Sequence, residues 1–182
     1  RKPTLAALPG PAAGAGLAIA LACDMRIASE TAFVSTGYAR VGLSGDYGIA
    51  WLLTRLVGTA KARELMYTAE RVDAGTCERL GLVNRVVSDE SFPDEAFKLA
   101  RALAHGPGVA FGRMKDNLDD ALTLPFLAAL DGEAERLQEV AFDNCDRACM
   151  QDKGYLNTLG LRTVADYLYA HLHRMLGKSF VE

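Results

Sequence analysis

The chain is organised around a short glycine-rich stretch, Gly10-Pro11-Ala12-Ala13-Gly14-Ala15-Gly16-Leu17-Ala18. An apolar run, Thr4 to Leu8, precedes it and has the length of a buried strand. A run rich in alanine and leucine follows it and favours a helix. Gly14-Ala15-Gly16 would therefore lead a strand into a helix N-terminus, where backbone N–H groups lack helical partners and the helix dipole attracts negative charge. Such a turn can hold a phosphate, a carboxylate or the oxyanion of a polarised carbonyl, or it can serve only to pack a helix closely on a strand.

The spacing of these glycines differs from two nucleotide-binding motifs. It is G-x-x-x-G-x-G, whereas dinucleotide-binding turns carry G-x-G-x-x-G. No Lys-Ser or Lys-Thr pair follows the last glycine, so the motif of a phosphate-binding loop is also absent. The glycine motif alone therefore does not identify the ligand that the turn would bind.

The composition narrows the classes of partner. Half of the 182 residues are hydrophobic, 24% are charged and the formal net charge is −3. This charge does not favour a nucleic acid or an anionic membrane as partner. Because no secretory signal and no run of about eighteen apolar residues is present, we expect no membrane span.

The cysteines show neither a metal-binding nor a redox pattern. No C-x-x-C pair occurs, and no G-x-S-x-G elbow of a serine hydrolase is present. We therefore expect no metal site. We also expect the cysteines to be reduced thiols in a cytoplasmic protein, and these are Cys23, Cys77, Cys145 and Cys149.

Strands, glycine turns and helices are mixed along the chain, which predicts an α/β fold. Periodicity predicts a buried helix at 49–56 that includes Trp51, a loop at 40–45, a strand at 82–87 and a helix at 91–105 whose core-facing stripe includes Ala100.

The predicted organisation has three parts. Residues 1–90 form the core with the candidate site, residues 91–153 form a helical C-terminal region, and residues 154–182 form a helical tail.

Seven segments follow one another in a recognisable order and spacing: Lys2–Ala7, Gly14–Gly16, Ala22–Ala28, Val41–Leu43, Arg55–Gly58, Ala60–Ala62 and Gly81–Val87. Together they closely resemble the crotonase superfamily, the enoyl-CoA hydratase/isomerase family. The resemblance implies a partial crotonase-like spiral of ββα turns followed by a helical region. In the family this is the C-terminal two-thirds of the protein, so we expect the chain to be a fragment, and its tail is atypical. The resemblance also implies an acyl-CoA thioester as substrate with coenzyme A as its carrier, no other cofactor, and a homotrimer or a dimer of trimers.

The resemblance assigns roles to the glycine-rich turn. The backbone N–H of Ala15 would be one of two donors of an oxyanion hole for the thioester carbonyl, with Gly14 and Gly16 lining the substrate site. The second donor belongs to a segment that lies upstream in the family. Hydratases of the family carry two glutamates, at positions that are Ala18 and Tyr38 here. Because water addition needs one group to activate water and another to deliver a proton, losing both carboxylates argues against a standard hydratase.

Asp46 is the candidate catalytic base. Some isomerases of the family carry an aspartate in the turn after a Gly-Leu pair, and Asp46 follows Gly42-Leu43 in this way. One carboxylate can shift a double bond by removing a proton at one carbon and returning it at another. We expect Leu43 to contact the substrate, and Leu43 and Trp51 to shield Asp46 from water. The structural alternative is an ordinary turn, since aspartate in a turn hydrogen-bonds to the backbone.

Two functions follow from these residues. The first is an enzyme that isomerises, or hydrates, an enoyl-CoA through an enolate held by the oxyanion hole. The second is a non-catalytic crotonase-like protein that binds acyl-CoA or only assembles with partners, which the replaced glutamates favour. Tyr38 would hydrogen-bond to the substrate or fill the space of a missing glutamate.

Overall fold

The computed structural model describes residues 1–148, and the side chains of all of these except 138 and 141–148. The described residues form two compact units, one of Pro3–Gly106 and one that comprises Arg1–Lys2 and residues 107–148. The three-part organisation stays a prediction, and its helical tail at 154–182 lies outside the described residues. Within 1–148 the elements in chain order are β1 Leu5–Leu8, β2 Ala12–Ala13, α1 Ala15–Ala22, β3 Met25–Ser29, β4 Phe33–Ser35, a 3-10 helix Tyr38–Val41, α2 Ile49–Thr68, β5 Val72–Asp73, α3 Ala74–Arg79, β6 Arg85–Val87, α4 Phe92–Ala104, α5 Gly108–Ala121 and α6 Phe126–Ala148.

Two small sheets build the first unit, and the predicted mixture of strands and helices is confirmed. The first sheet has the order β1-β3-β6 with both pairs parallel. The second has the order β2-β4-β5, in which β2 runs parallel to β4 and β5 runs antiparallel to it. Because β1 and β2 are separated only by a short connection, the chain passes from one sheet to the other immediately before α1.

Helix α1 confirms the strand, turn and helix predicted for the start of the chain. Leu17, Ala18 and Leu21 are at most 4% exposed and join the same hydrophobic core as Leu53 of α2. Alanine side chains allow α1 to lie close to its neighbours, and the core that they share fixes the direction of the helix.

Helix α2 is kinked, and the surface that it exposes differs from the prediction. Gly58 has φ 74° and ψ 167°, so the segment consists of two helices joined at a kink. Leu53 is fully buried, but Trp51 is 50% exposed, and the prediction of a buried Trp51 is wrong. The Arg55 guanidinium lies 3.6 Å from the centre of the Trp51 ring, and this contact stabilises an exposed aromatic side chain.

Strand β6 begins later than predicted because Arg26 uses the residues before it. The Arg26 side chain is buried and donates to the carbonyl oxygens of Leu82 at 2.7 Å and Cys23 at 2.6 Å. The Arg26 backbone N–H donates to the Asn84 side chain at 2.8 Å. Residues 82–84 therefore bind Arg26 instead of extending the strand, so the strand predicted at 82–87 is confirmed only for Arg85–Val87.

The loop predicted at 40–45 and the helix predicted at 91–105 agree with the structure in part. The 3-10 helix occupies the start of the loop predicted at 40–45. Asp73 caps α3 by accepting from the Thr76 N–H at 2.8 Å. Helix α4 matches the helix predicted at 91–105, but Ala100 is exposed and does not belong to a core-facing stripe.

The second unit contains α5 and α6. Pro125 precedes α6, and its carbonyl oxygen accepts from the Ala129 N–H at 3.0 Å. Arg136 of α6 donates to Asn117 of α5 at 2.8 Å and also pairs with Asp120. These contacts join the two helices of this unit. Across the described residues, no helix has both the length and the hydropathy that crossing a bilayer requires.

Candidate active site

Two neighbouring parallel strands bring the candidate residues together. Ala13 at the end of β2 pairs with Ser35 at the end of β4. The next residue, Gly14, donates its N–H to the Ser35 carbonyl at 3.1 Å. Since the carboxyl ends of paired parallel strands lie side by side, the segments that follow them must also start side by side. One segment is α1, and the other leads to Tyr38.

The N-terminus of α1 presents free backbone donors. The first helical bond runs from the Ala18 N–H to the Gly14 carbonyl at 3.0 Å. The N–H groups of Ala15 and Gly16 precede this bond and have no acceptor in the part of the chain that the structure describes. Gly16 is exposed, and a Cβ built on it would meet no atom within 4 Å. These donors therefore border open space, where a negatively charged oxygen would be stabilised.

Tyr38 lies beside this helix start. The preceding Thr36 is anchored through its hydroxyl to the Leu65 carbonyl at 2.8 Å. Tyr38 is only 6% exposed and belongs to the hydrophobic core. A Cβ built on Gly14 would lie 3.9 Å from the ring carbon Cζ of Tyr38 and 4.0 Å from its hydroxyl oxygen. The phenol therefore reaches the turn that opens α1.

Asp46 is held by the same tyrosine. Its carboxylate accepts a hydrogen bond from the Tyr38 hydroxyl, across eight positions of sequence. Asp46 lies in a turn in which Gly45, Tyr47 and Gly48 all have positive φ, at 109°, 48° and 74°. The Ile49 N–H donates to the Asp46 carbonyl at 3.1 Å, which closes the turn into α2.

The environment of Tyr38 keeps its hydroxyl protonated. Burial raises the pKa of Tyr38 above its ordinary value of 10.0, and the hydrogen bond to Asp46 raises it further. The neutral phenol remains a donor at neutral pH, so the contact with the Asp46 carboxylate is a charge-assisted hydrogen bond.

The predicted surroundings of Asp46 are partly wrong. Leu43 is 63% exposed, Trp51 is 50% exposed and Asp46 itself is exposed, so these two side chains do not shield the carboxylate. Ala18, at a position where hydratases of the family carry a glutamate, is fully buried. The main finding that sequence reasoning missed is the hydrogen bond between Tyr38 and Asp46. The two tight turns at Gly42 and Gly45, which fold the intervening chain back, were its only local signal.

Taken together, the site pairs free N–H donors at a helix start with a carboxylate that a buried phenol holds. Such a site can stabilise a developing oxyanion and transfer a proton. Among the described residues, no three His, Cys, Asp or Glu side chains come together as metal ligands. The class defined by fold and site is thus an α/β protein in which a helix start with free N–H donors lies near an exposed carboxylate that a buried tyrosine holds.

Comparisons with known proteins identify the family within this class. The model of the enoyl-CoA hydratase/isomerase family matches residues 1–158. A Rhodobacter capsulatus protein named "Probable enoyl-CoA hydratase" is 40% identical over 136 residues, which are 75% of this chain and 52% of that protein. The 1,2-epoxyphenylacetyl-CoA isomerase of Escherichia coli K12 is 36% identical over 134 residues, 74% of this chain and 51% of the isomerase. A structure from Thermobifida fusca, solved in complex with CoA, superposes with a TM-score of 0.74 at 31% identity, over 78% of this chain and 55% of that one.

The chain belongs to the enoyl-CoA hydratase/isomerase family. The crotonase-like fold class inferred from the sequence segments is confirmed by the superposition. The chain spans about half the length of the two curated relatives described above.

Proposed function

We propose that the protein containing this chain processes acyl-CoA thioesters and moves a double bond within an enoyl-CoA. The observation that carries the proposal is the hydrogen bond from Tyr38 to Asp46, because the same hydroxyl oxygen would lie 4.0 Å from a Cβ built on Gly14, in the turn that opens α1. A base and a set of oxyanion donors thus lie on either side of one tyrosine. The family membership supports an acyl-CoA substrate, and the relative named 1,2-epoxyphenylacetyl-CoA isomerase supports an isomerisation of a CoA thioester in general.

The proposed reaction needs one carboxylate. With a 3-enoyl-CoA, Asp46 removes a proton from C2, and the electron pair of that bond becomes part of a dienolate whose negative charge rests on the thioester oxygen. The N–H of Ala15 stabilises this oxygen, with Gly14 and Gly16 lining the same turn. Asp46 then returns the proton to C4, which gives the 2-enoyl-CoA and restores the carboxylate. A positioned acid/base group of this kind contributes about 10²–10⁴-fold in rate.

Isomerisation suits these residues better than hydration. Water addition uses two acid/base groups, and the family's glutamate positions hold the methyl of Ala18 and the phenol of Tyr38. Ala18 is fully buried, so water has no access to its side chain. Leu43, whose side chain is mostly exposed, is proposed to contact the acyl chain.

The test follows deuterium uptake and water addition when the protein is incubated in heavy water with a 3-enoyl-CoA or a 2-enoyl-CoA. The upstream coding sequence is read first, and any strands that it encodes are included in the expressed protein. We expect bond migration and exchange that Asp46→Asn abolishes, since this change removes the base and keeps the side chain's size. Hydration that survives Asp46→Asn would place the acid/base group elsewhere and refute the assignment.

A second candidate function is that of a non-catalytic acyl-CoA-binding protein. The exposure of Asp46 and the replacement of both glutamate positions favour it. Acyl-CoA binding without exchange in the wild-type protein would establish this candidate, and exchange that depends on Asp46 would eliminate it.

The remaining features of the proposal come from the family resemblance. They are coenzyme A as the substrate carrier without a further cofactor, and a homotrimer or a dimer of trimers. A cytoplasmic location is proposed from the cysteines, which show neither a metal-binding nor a redox pattern. Sedimentation of the expressed protein tests the oligomer.

A further inference from the structure

The backbone of the turn that carries Asp46 is closed by the bond from the Ile49 N–H to the Asp46 carbonyl, but this bond does not fix the orientation of the Asp46 side chain. Three of its residues, Gly45, Tyr47 and Gly48, have positive φ. Glycine reaches these conformations easily but also leaves them easily, because it lacks the Cβ that restricts other residues. Asp46 is exposed, and Leu43 and Trp51, the apolar side chains expected to cover it, are exposed themselves. The position of its carboxylate must therefore be set by a contact with a more rigid element.

Tyr38 is such an element. Its ring is 6% exposed and packs in the core, and its carbonyl accepts from the Leu43 N–H at 3.0 Å. The ring also approaches both sides of the site. A Cβ on Gly14 would lie 3.9 Å from Cζ, and a Cβ on Gly45 would lie 4.0 Å from Cδ2. The ring thus lies near both the start of α1 and the turn that carries Asp46.

We propose that Tyr38 is a positioning residue, whose hydroxyl holds the Asp46 carboxylate in its reactive place relative to the N-terminus of α1. This inference rests on the proposed function, since it assigns a role in the same site. The hydroxyl acts through Asp46 and does not itself exchange a proton with the substrate. Because a carboxylate misplaced by about 1 Å can cost about 10²-fold in rate, one hydrogen bond is sufficient for such a role.

The charge of the pair supports this role. Burial and the Asp46 contact raise the pKa of Tyr38, so the phenol stays a donor over the range in which a carboxylate base works. Asp46 and Tyr47 are the titratable groups that act on this phenol within the described residues. The bond is available before each proton abstraction, when Asp46 is ionised, and it restores the carboxylate's position after each turnover.

Tyr38→Phe is the direct test because it deletes the hydroxyl and keeps the ring between Gly14 and Gly45. We expect kcat for deuterium exchange to fall by about 10- to 100-fold, the range for losing a hydrogen bond to a charged group. The dissociation constant for acyl-CoA should stay within about twofold, since the ring and the donors of α1 remain. The matched control is Tyr47→Phe, which removes a tyrosine hydroxyl from the residue next to Asp46. Tyr47 is 68% exposed, and its hydroxyl makes no hydrogen bond in the described structure. The Tyr47→Phe protein should catalyse deuterium exchange at the wild-type rate.

A double-mutant cycle separates positioning from an independent effect. Asp46→Glu moves the carboxylate by one methylene, so Tyr38→Phe should cost much less in that background than in the wild type. An equal loss in both backgrounds, or a loss confined to acyl-CoA binding, would overturn the positioning role. If Tyr38→Phe does not fold, 3,5-difluorotyrosine at position 38 keeps the shape and makes the phenol more acidic. Exchange should fall at high pH when the phenol at position 38 loses its proton, and with the more acidic phenol this fall should begin at lower pH than in the wild type. An unchanged dependence of the exchange rate on pH would overturn the proposal.

The two proposals fail in different ways. Exchange that persists in Asp46→Asn removes the proposed base and the function with it. Exchange that is lost in Asp46→Asn but unchanged in Tyr38→Phe retains the function and removes only the role of Tyr38.

Discussion

Gly14→Ala tests the physical basis of the turn that opens α1. Gly14 has φ 52° and ψ −126°, a conformation that residues with a Cβ rarely adopt. The new Cβ would lie 3.8 Å from the Thr36 carbonyl and 3.9 Å from the Tyr38 ring, which are ordinary van der Waals distances. The cost therefore comes from backbone strain, about 1–3 kcal/mol, and not from a collision.

A smaller effect opposes this strain. Alanine also restricts the unfolded chain, and this effect by itself favours the folded state by about 0.4–1 kcal/mol. The net loss in the free energy of unfolding is then about 1–2 kcal/mol. For a chain of this size, about 2–4 °C of Tm corresponds to each kcal/mol, so we expect Tm to fall by roughly 2–8 °C.

Gly16→Ala is the matched control, two residues along the same turn. Its φ is negative and its Cβ would meet no atom within 4 Å, so the variant should be as stable as the wild type or slightly more stable. Thermal and urea unfolding of both variants measure the difference. A Gly14→Ala protein as stable as Gly16→Ala would refute the strain argument. If a thioester occupies the open space beside Gly16, the methyl should also weaken acyl-CoA binding without loss of stability.

Three further predictions concern buried groups. Arg26→Met should lower the free energy of urea unfolding by about 2–6 kcal/mol, since the buried Leu82 carbonyl and the partly buried Cys23 carbonyl lose their donor at about 1–3 kcal/mol each. A loss below about 1 kcal/mol would contradict the role of Arg26. Burial raises the pKa of the Cys77 thiol to about 11, so in the native protein at pH 8 iodoacetamide should label the partly exposed Cys23 well before Cys77, as read by peptide mass spectrometry. The raised pKa of Tyr38 stabilises the fold below about pH 10, the unfolded value, and this contribution is lost as pH rises through the folded value. The difference in urea midpoint between the wild type and Tyr38→Phe should therefore shrink above about pH 10. A difference that stays constant with pH would contradict this contribution of Tyr38 to stability.

The limits of the sequence analysis appear at Trp51 and at residues 82–84. Apolar composition predicted a buried Trp51, but burial depends on which face of α2 meets the core, and that face is occupied by Leu53. The strand predicted to begin at residue 82 starts instead at Arg85, because the preceding backbone groups bind the distant Arg26. Neither outcome is visible in a local pattern.

The sequence by itself determined the local features of the site: the strand, the glycine turn and the helix at Gly14-Ala15-Gly16, the turn at Asp46, and the family segments around them. These depend on backbone preferences and on spacing over a few residues, which a sequence states directly. Only the tertiary structure decided that Tyr38 lies between Gly14 and Asp46. That arrangement requires β2 and β4 to pair in parallel at Ala13 and Ser35, so that the segments after both strands start at the same place. The pairing is a long-range contact set by the shared core, and for this reason the sequence supplied the groups of the candidate site but not the hydrogen bond that joins two of them.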